Sequence, residues 1–308
     1  MDKLAIIDLG SNTFHLLIAG FKDDDSLQEV YRERVYVKLA KEGKERIGDE
    51  SFRKGISTLQ SFRKKMKAFD VSQFTAVGTA MLRNAQNAGA FIEVAADLAQ
   101  VPIQVIDGET EAILIHKGIK STIKTDGAQV IMDIGGGSVE FIIAQNGEIA
   151  WKHSYNVGVS YLKNKFSLRE KPTADTCSAI YRYLEEELKE LQNMLTVYKP
   201  ETFIGSAGTF EVLEKAVGHR DASGLFGVFD MRAFDQLYSD VMSADRSQLM
   251  SYDWLPEERR DLIQPAFILI NWISQQSAFK KSVVSHRALK EGGLMDYKYQ
   301  NHLVYNTL

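Results

Sequence analysis

Short apolar runs, each closed by a glycine, an asparagine or an acidic residue, alternate along the chain with longer stretches whose apolar positions fall three and four apart. Runs of the first kind read as strands and stretches of the second as helices. In the first half the pattern predicts strands near residues 4–9, 14–21, 29–38, 74–77 and 103–106, and helices near 51–69, 88–100 and 109–119. In the second half it predicts strands near 129–133, 139–144, 148–156 and 202–205, with helices near 173–198 and 209–217. Three hairpin-linked strands followed by strand–helix–strand units build a mixed sheet covered by helices, so the fold class is α/β. Within the longest helix Ile180, Leu184, Leu188, Leu191 and Leu195 form one stripe, read as a core-facing surface. The acidic run Lys22–Ser26 lacks calcium-loop spacing and reads as a solvated hairpin tip.

The same pattern occurs twice. Residues 8–19 read DLGSNTFHLLIA and residues 133–144 read DIGGGSVEFIIA, each an apolar run entering an aspartate, a small-residue turn and a second apolar run. That is a β-hairpin signature. Asp8 and Asp133 stand 125 positions apart, while Gly78-Thr79-Ala80 and Gly205-Ser206-Ala207 stand 127 apart. Two pairs at nearly one offset predict two homologous domains, over 1–124 and 125–286, with a closing helix at about 287–308 that packs back on the first.

Composition narrows the class without naming a chemistry. At 308 residues, 44% hydrophobic and 25% charged, the chain is an ordinary globular protein long enough for two cores. Its formal charge of −4, with no basic stripe, argues against duplex nucleic acid as a partner. The N-terminal apolar run is broken by Asp8, so neither a secretion signal nor a membrane span is expected, and the expected location is cytoplasmic. Cys177, the single cysteine, is assigned to packing, and six scattered histidines lack zinc-ligand spacing.

Chemistry concentrates at the repeated turns. Small residues after an aspartate let backbone N–H groups approach an anion, and the aspartate can hold a divalent ion directly or through water. A pair of such turns across a cleft would clamp a magnesium-bound phosphate from both ends. The helix at Gly108-Glu109-Thr110-Glu111-Ala112 follows a strand, where α/β sheets bind ligands. Glu109 and Glu111 cannot share a helix face, so one points inward and the other to solvent, although acidic residues also favour the first turn of any helix.

The segments IIDLGSNTFHLLIAG, VGTAMLR, VIDGETEAILI, VIMDIGGGSVEF, IGSAGT and SHRALKEGG occur in the order and spacing of the exopolyphosphatase and guanosine pentaphosphate phosphohydrolase family, which the chain resembles over essentially its whole length. The resemblance implies a duplicated actin-like (ribonuclease H-like) fold of two lobes. It implies phosphate binding by Gly10, Ser11, Asn12, Thr13, Arg83, Gly135, Gly136, Gly137, Ser138, Gly208 and Thr209. It places Glu111 as the catalytic base and Asp8, Asp133 and Glu140 around Mg2+, or Mn2+ in its place. The implied reaction is magnesium-assisted release of terminal orthophosphate from polyphosphate, with guanosine pentaphosphate as the alternative substrate. Two readings of another class are a sensor that binds these anions without turnover and an ATP-dependent actin-like protein. Thr110, Val139, His286 and Lys290 depart from the family pattern and bear on substrate preference. Longer relatives continue into helical domains past the point where this chain stops, so short polyphosphates, or a homodimer that lengthens the groove, are expected.

Overall fold

In the computed structural model, which describes residues 2–43, 45–124, 126–168, 171–297 and 302–308, the chain opens with an antiparallel meander of β1 (Leu4–Leu9), β2 (Thr13–Phe21) and β3 (Leu27–Tyr36). Helix α1 (Asp49–Ala68) leads to β4 (Gln73–Gly78), then α2 (Ala80–Asn84), α3 (Ala88–Ala99), the two-residue β5 (Gln104–Val105) and α4 (Gly108–Lys120). The second run begins with β6 (Ala128–Ile134), β7 (Val139–Gln145) and β8 (Glu148–Tyr155), followed by α5 (Val159–Lys165), α6 (Ala174–Glu187), α7 (Lys189–Tyr198) and β9 (Thr202–Ser206). It continues through α8 (Gly208–Val217), β10 (Gly218–Arg220), β11 (Phe226–Phe229), α9 (Met231–Ser243), α10 (Arg246–Met250), a 3-10 turn (Glu257–Leu262), α11 (Ile263–Ser274) and β12 (Lys281–Ser285). Helix α12 (Leu289–Asp296) and β13 (Asn306–Thr307) close the chain, and residues 298–301 of the expected closing helix lie outside the described residues.

The chain divides into two compact units, Met1–Gly118 with Ala288–Leu308, and Ile119–Arg287. Each is built on one mixed sheet. In the first the order is β13-β4-β1-β2-β3, with β5 pairing the opposite end of the same β4 edge; in the second it is β10-β11-β12-β9-β6-β7-β8. The shared kernel, a three-strand antiparallel meander whose first strand pairs in parallel with a later one, is the duplicated actin-like arrangement.

The duplication extends to single hydrogen-bonded rungs. Asp8 faces His15 across β1–β2, and Asp133 faces Glu140 across β6–β7, the same seven-residue step. Both third strands carry a bulge at equivalent points, Val30 of β3 opposite Ile18/Ala19 and Ala150 of β8 opposite Ile143/Ala144. The parallel rungs differ: Gly78 pairs with Leu9, one past Asp8, whereas Gly205 pairs with Met132, one before Asp133. That two-residue slide is the difference between the motif offset of 127 and the 129 positions that separate the rung partners Val77 and Ser206.

Hydrophobic pattern explains the packing. β1 and β6 sit mid-sheet and read as near-continuous apolar runs because both faces are covered. Helix α1 lays Ile56, Leu59, Phe62 and Met66 into the first core, with Asp49 and Glu50 in its first turn and Lys65 and Lys67 in its last, the signs that suit its dipole. The single helix expected over 173–198 is two, broken at Leu188 (φ −99°, ψ 19°), yet Leu188 N–H still donates to Leu184 O and Gln192 N–H to Leu188 O. The stripe therefore runs through the break, with Ile180, Leu184, Leu188, Leu191 and Leu195 all buried. Helix α11, apolar all round, fills the second core and carries Pro265 in its first turn, where a missing N–H leaves no bond unmade. Lys22–Ser26 forms an exposed hairpin tip, and Cys177 packs at the margin of the second core. Among the described residues no helix is long and apolar enough to cross a membrane.

Candidate active site

Both hairpin turns close with one hydrogen bond, Gly10 N–H to Thr13 O at 3.1 Å and Gly135 N–H to Ser138 O at 3.0 Å. Close approach favours glycine at the first position of each. A Cβ there would stand 3.1 Å from Thr13 O or 2.9 Å from Ser138 O, against the carbonyl that closes the turn. The next segment then ties down the turn from behind. Lys38 N–H donates to Asn12 O (2.8 Å) and Ala40 N–H to Ser11 O (3.0 Å); in the second unit Gly158 N–H donates to Gly137 O (3.1 Å) and Ser160 N–H to Gly136 O (2.9 Å). Because a trans peptide carries its C=O and N–H on opposite edges, the N–H groups of Asn12 and Thr13, and of Gly137 and Ser138, point the other way, into the mouth of the turn. Successive N–H groups so aimed form an anion-binding concavity.

In the first unit the strands β1, β4 and β5 end side by side. Thr79 N–H bonds Leu9 O, and Ile106 N–H bonds Gly78 O. Each strand end delivers one functional element: the Asp8 turn from β1, helix α2 with Arg83 from β4, and helix α4 with Glu111 from β5. Arg83 and Glu111 meet. Arg83 Nη1 donates to Glu111 Oε2 at 2.7 Å and to Ile106 O at 2.9 Å, and Glu111 is 8% exposed. A charge-assisted bond at this depth fixes the glutamate's position. Asp107 caps the helix, its Oδ1 accepting from Thr110 N–H at 2.7 Å. Hydrogen bonds from Thr110, its backbone N–H first, hold the Asp107 carboxyl below the ordinary aspartate value, and the Arg83 charge adds to them against partial burial. Thr110, a departure in sequence, thus belongs to the start of the helix that carries Glu111.

In the second unit Asp133 and Glu140 are cross-strand partners, 9% and 1% exposed. Ser206 Oγ donates to Asp133 Oδ2 at 2.6 Å and Ser154 Oγ to Glu140 Oε1 at 2.7 Å. Gly208 and Thr209 open α8 directly after Ser206, and Ala207 between them takes φ +66°, ψ 176°, a conformation nearly restricted to glycine. The Arg259 guanidinium lies where a Gly208 side chain would be, 1.7 Å from the position of its Cβ. Of the other departures, Val139 is buried in β7 and Lys290 lies in the first turn of α12. His286 lies between Glu214 and Arg220, its Nε2 2.5 Å from Glu214 Oε2 and its Nδ1 2.6 Å from Arg220 Nη1. Arginine only donates, so Nδ1 accepts and Nε2–H is the donor to Glu214.

Each sequence-predicted residue therefore has a place. Asp8, Gly10, Ser11, Asn12 and Thr13 form the first turn, and Arg83 joins Glu111 in the same unit. Asp133, Gly135, Gly136, Gly137, Ser138 and Glu140 form the second turn, with Gly208 and Thr209 following its parallel neighbour. The sequence reading missed the serine donors Ser206 and Ser154 and the cap Asp107. Ser206 lay in a quoted motif; Ser154, on a strand of mixed character, has no local signal.

A model of the Ppx/GppA phosphatase family matches residues 18–300. A guanosine-5'-triphosphate,3'-diphosphate pyrophosphatase of Vibrio campbellii is 29% identical over 310 residues, covering 99% of this chain and 61% of that protein. The protein of the same description from Vibrio cholerae is 29% identical over 291 residues, 94% of this chain and 58% of its own length. The chain thus spans about three fifths of the length of these curated relatives. Among solved structures, an exopolyphosphatase of Cytophaga hutchinsonii matches with TM-score 0.89 at 28% identity, covering 97% of this chain and 98% of that one. An Aquifex aeolicus member of the Ppx/GppA family matches with TM-score 0.80 at 22% identity, over 98% and 99%, a likeness of fold.

Proposed function

The chain belongs to the Ppx/GppA phosphatase family, and from that premise we propose that it hydrolyses the terminal phosphoanhydride of inorganic polyphosphate, releasing orthophosphate. The observation that carries the reading is the Arg83–Glu111 pair beside the Asp8 turn: a buried, oriented carboxylate at the end of three strands, next to backbone donors suited to phosphate. Glu111 takes the proton of an attacking water as its oxygen bonds the terminal phosphorus and the bridging P–O bond breaks. Arg83 holds Glu111 through Nη1, and the rest of its forked guanidinium suits the transferred phosphoryl group.

Asp133 and Glu140 fit a divalent cation. Two buried carboxylates directly opposite each other, with Cβ atoms about 5 Å apart, repel unless a cation or proton lies with them. Among the described residues no group of three or more His, Cys, Asp or Glu is placed to hold a metal. Mg2+ keeps most of its waters and takes one or two carboxylates plus substrate oxygens. When bound it would neutralise charge developing on the phosphoryl oxygens. Asp8 would serve the first turn in the same manner or by orienting its neighbours.

Guanosine pentaphosphate is the second substrate reading, favoured by the names of the curated relatives, as polyphosphate is by that of the Cytophaga structure. Phosphate release with Mg2+ is to be measured over polyphosphates of several lengths, guanosine pentaphosphate and ATP. Turnover of polyphosphate above the two nucleotides supports the first reading and the reverse order the second; release from none of them ends both.

A further inference from the structure

The two hairpins share a register, yet one rung carries different charge in the two units. Across the second sheet Ser206, Asp133, Glu140 and Ser154 stand side by side on β9, β6, β7 and β8. The equivalent rung of the first sheet reads Val77, Asp8, His15 and Arg34 on β4, β1, β2 and β3. Directly paired residues project from the same face of a sheet, so each rung is one row of side chains. The second row has two carboxylates, each accepting from a serine hydroxyl, and no basic residue. In the first row an imidazole replaces the second carboxylate, a guanidinium replaces Ser154 and Val77 replaces Ser206.

Such a substitution removes what a cation needs and supplies what an anion needs. One carboxylate facing a histidine and an arginine is a poor divalent site, whereas imidazole and guanidinium N–H groups donate to phosphate oxygens. Thr13, whose N–H faces the mouth of the turn, lies two residues before His15 and so on the same face of β2. We infer that the duplicated rows have divided their tasks. The Asp133–Glu140 row holds the cation, and the Asp8–His15–Arg34 row receives a phosphate group, with His15 and Arg34 donating to its oxygens and Asp8 positioning His15. The inference rests on the phosphohydrolase reading for the identity of the ligand, a chain of condensed phosphates, and assigns Asp8 away from the metal.

The test separates the two ligands. Binding of inorganic triphosphate is measured by calorimetry, and binding of Mn2+ alone by water-proton relaxation, in the wild-type chain and in His15→Gln, Arg34→Gln and Glu140→Gln. Arg34 is exposed on β3, so its variant keeps the fold even where His15→Gln fails to. Loss of one charge-assisted donor should weaken triphosphate binding about tenfold in His15→Gln and Arg34→Gln, with the Mn2+ midpoint within about twofold of wild type. Glu140→Gln should show a shifted Mn2+ midpoint. Wild-type triphosphate affinity in the His15 and Arg34 variants, or a His15→Gln shift in the Mn2+ midpoint as large as that of Glu140→Gln, overturns the division. A wild-type chain that releases no phosphate but shows these binding differences refutes the hydrolase reading and leaves the division standing.

Discussion

Two adjacent glycines of α12 provide a sharp test of how the helix bearing Glu111 is held. A Cβ at Gly292 would stand 1.7 Å from the carbonyl oxygen of Leu114 and 2.9 Å from the N of Gly118, both backbone atoms of α4. A carbon rests about 3.3 Å from such an oxygen, so Gly292→Ala must push the two helices roughly 1.6 Å apart locally. Overpacking of this kind costs about 3 kcal/mol, against about 1 kcal/mol regained because alanine is the better helix former. A Cβ at Gly293 would meet chiefly the end of a side chain, Ile6 Cδ1 at 2.3 Å. Ile6 can yield by an off-rotamer turn worth about 1 kcal/mol, which the same helix gain offsets. The expected difference between Gly292→Ala and Gly293→Ala is thus about 2 kcal/mol, or about 4–8 °C in Tm. Thermal unfolding followed by circular dichroism measures it. Leu114 lies one turn beyond Glu111, so Gly292→Ala should also lower kcat about tenfold in the surviving folded enzyme, as small misplacements of catalytic groups do. Equal Tm values for the two variants, or a more stable Gly292→Ala, would refute the claim that α4 and α12 meet backbone to backbone.

Glu111→Gln should lower turnover by roughly 10² to 10⁴ while substrate still binds, and steady-state kinetics near the wild-type rate would remove the residue from the base's role. Asp133→Asn should raise the Mg2+ concentration needed for half-maximal activity; an unchanged titration counts against its metal assignment. Ala207→Gly should stabilise the chain by about 1 kcal/mol, since strain at φ +66° is relieved and only part of the gain is lost to glycine's freedom when unfolded, a difference urea denaturation can resolve. Asp296 is fully buried, which raises its pKa, but hydrogen bonds from Lys117 and His302 outweigh burial and hold it below the ordinary 3.8. Protons therefore bind the unfolded chain more readily, so the stabilisation is present above pH 3.8 and lost as pH falls through the lower folded value. Asp296→Asn should cost about 3 kcal/mol at pH 7 and progressively less below pH about 4, read from urea midpoints along the series.

The duplicated hairpins were legible because a short turn between alternating strands fixes register by itself, and every consequence of that register, down to the paired bulges, repeats with the motif. The two-residue slide of β9 relative to β4 left no sign in the motif offsets, because pairing across the sheet sets it and only the rungs reveal it. Arg83 and Glu111, 28 positions apart, share no local periodicity; resemblance placed each, and their ion pair depends on two helices that start from neighbouring strands. Ser206 and Ser154 were invisible as carboxylate donors because the side chain opposite a strand residue is set by pairing across the sheet. Much of residues 218–287 was left without elements. There β10 and β11 are too short to show alternation, and α11 is apolar at every turn, so neither period stands out.

The first unit is assembled from two separated stretches, Met1–Gly118 and Ala288–Leu308, whereas the second is one uninterrupted stretch. On the ribosome, residues 119–287 are complete before α12 and β13 have been made, so the contiguous unit can acquire its core early and the split one must wait. The Gln73–Phe74 end of the early-made β4 edge is left open until Asn306 and Thr307 arrive to pair with it. Folding of the inserted unit shortens the gap that the late segment must close, and closure entropy grows only slowly with loop length. Synthesis order thus favours a sequence of events, inserted unit first, that refolding of these 308 residues from denaturant does not impose.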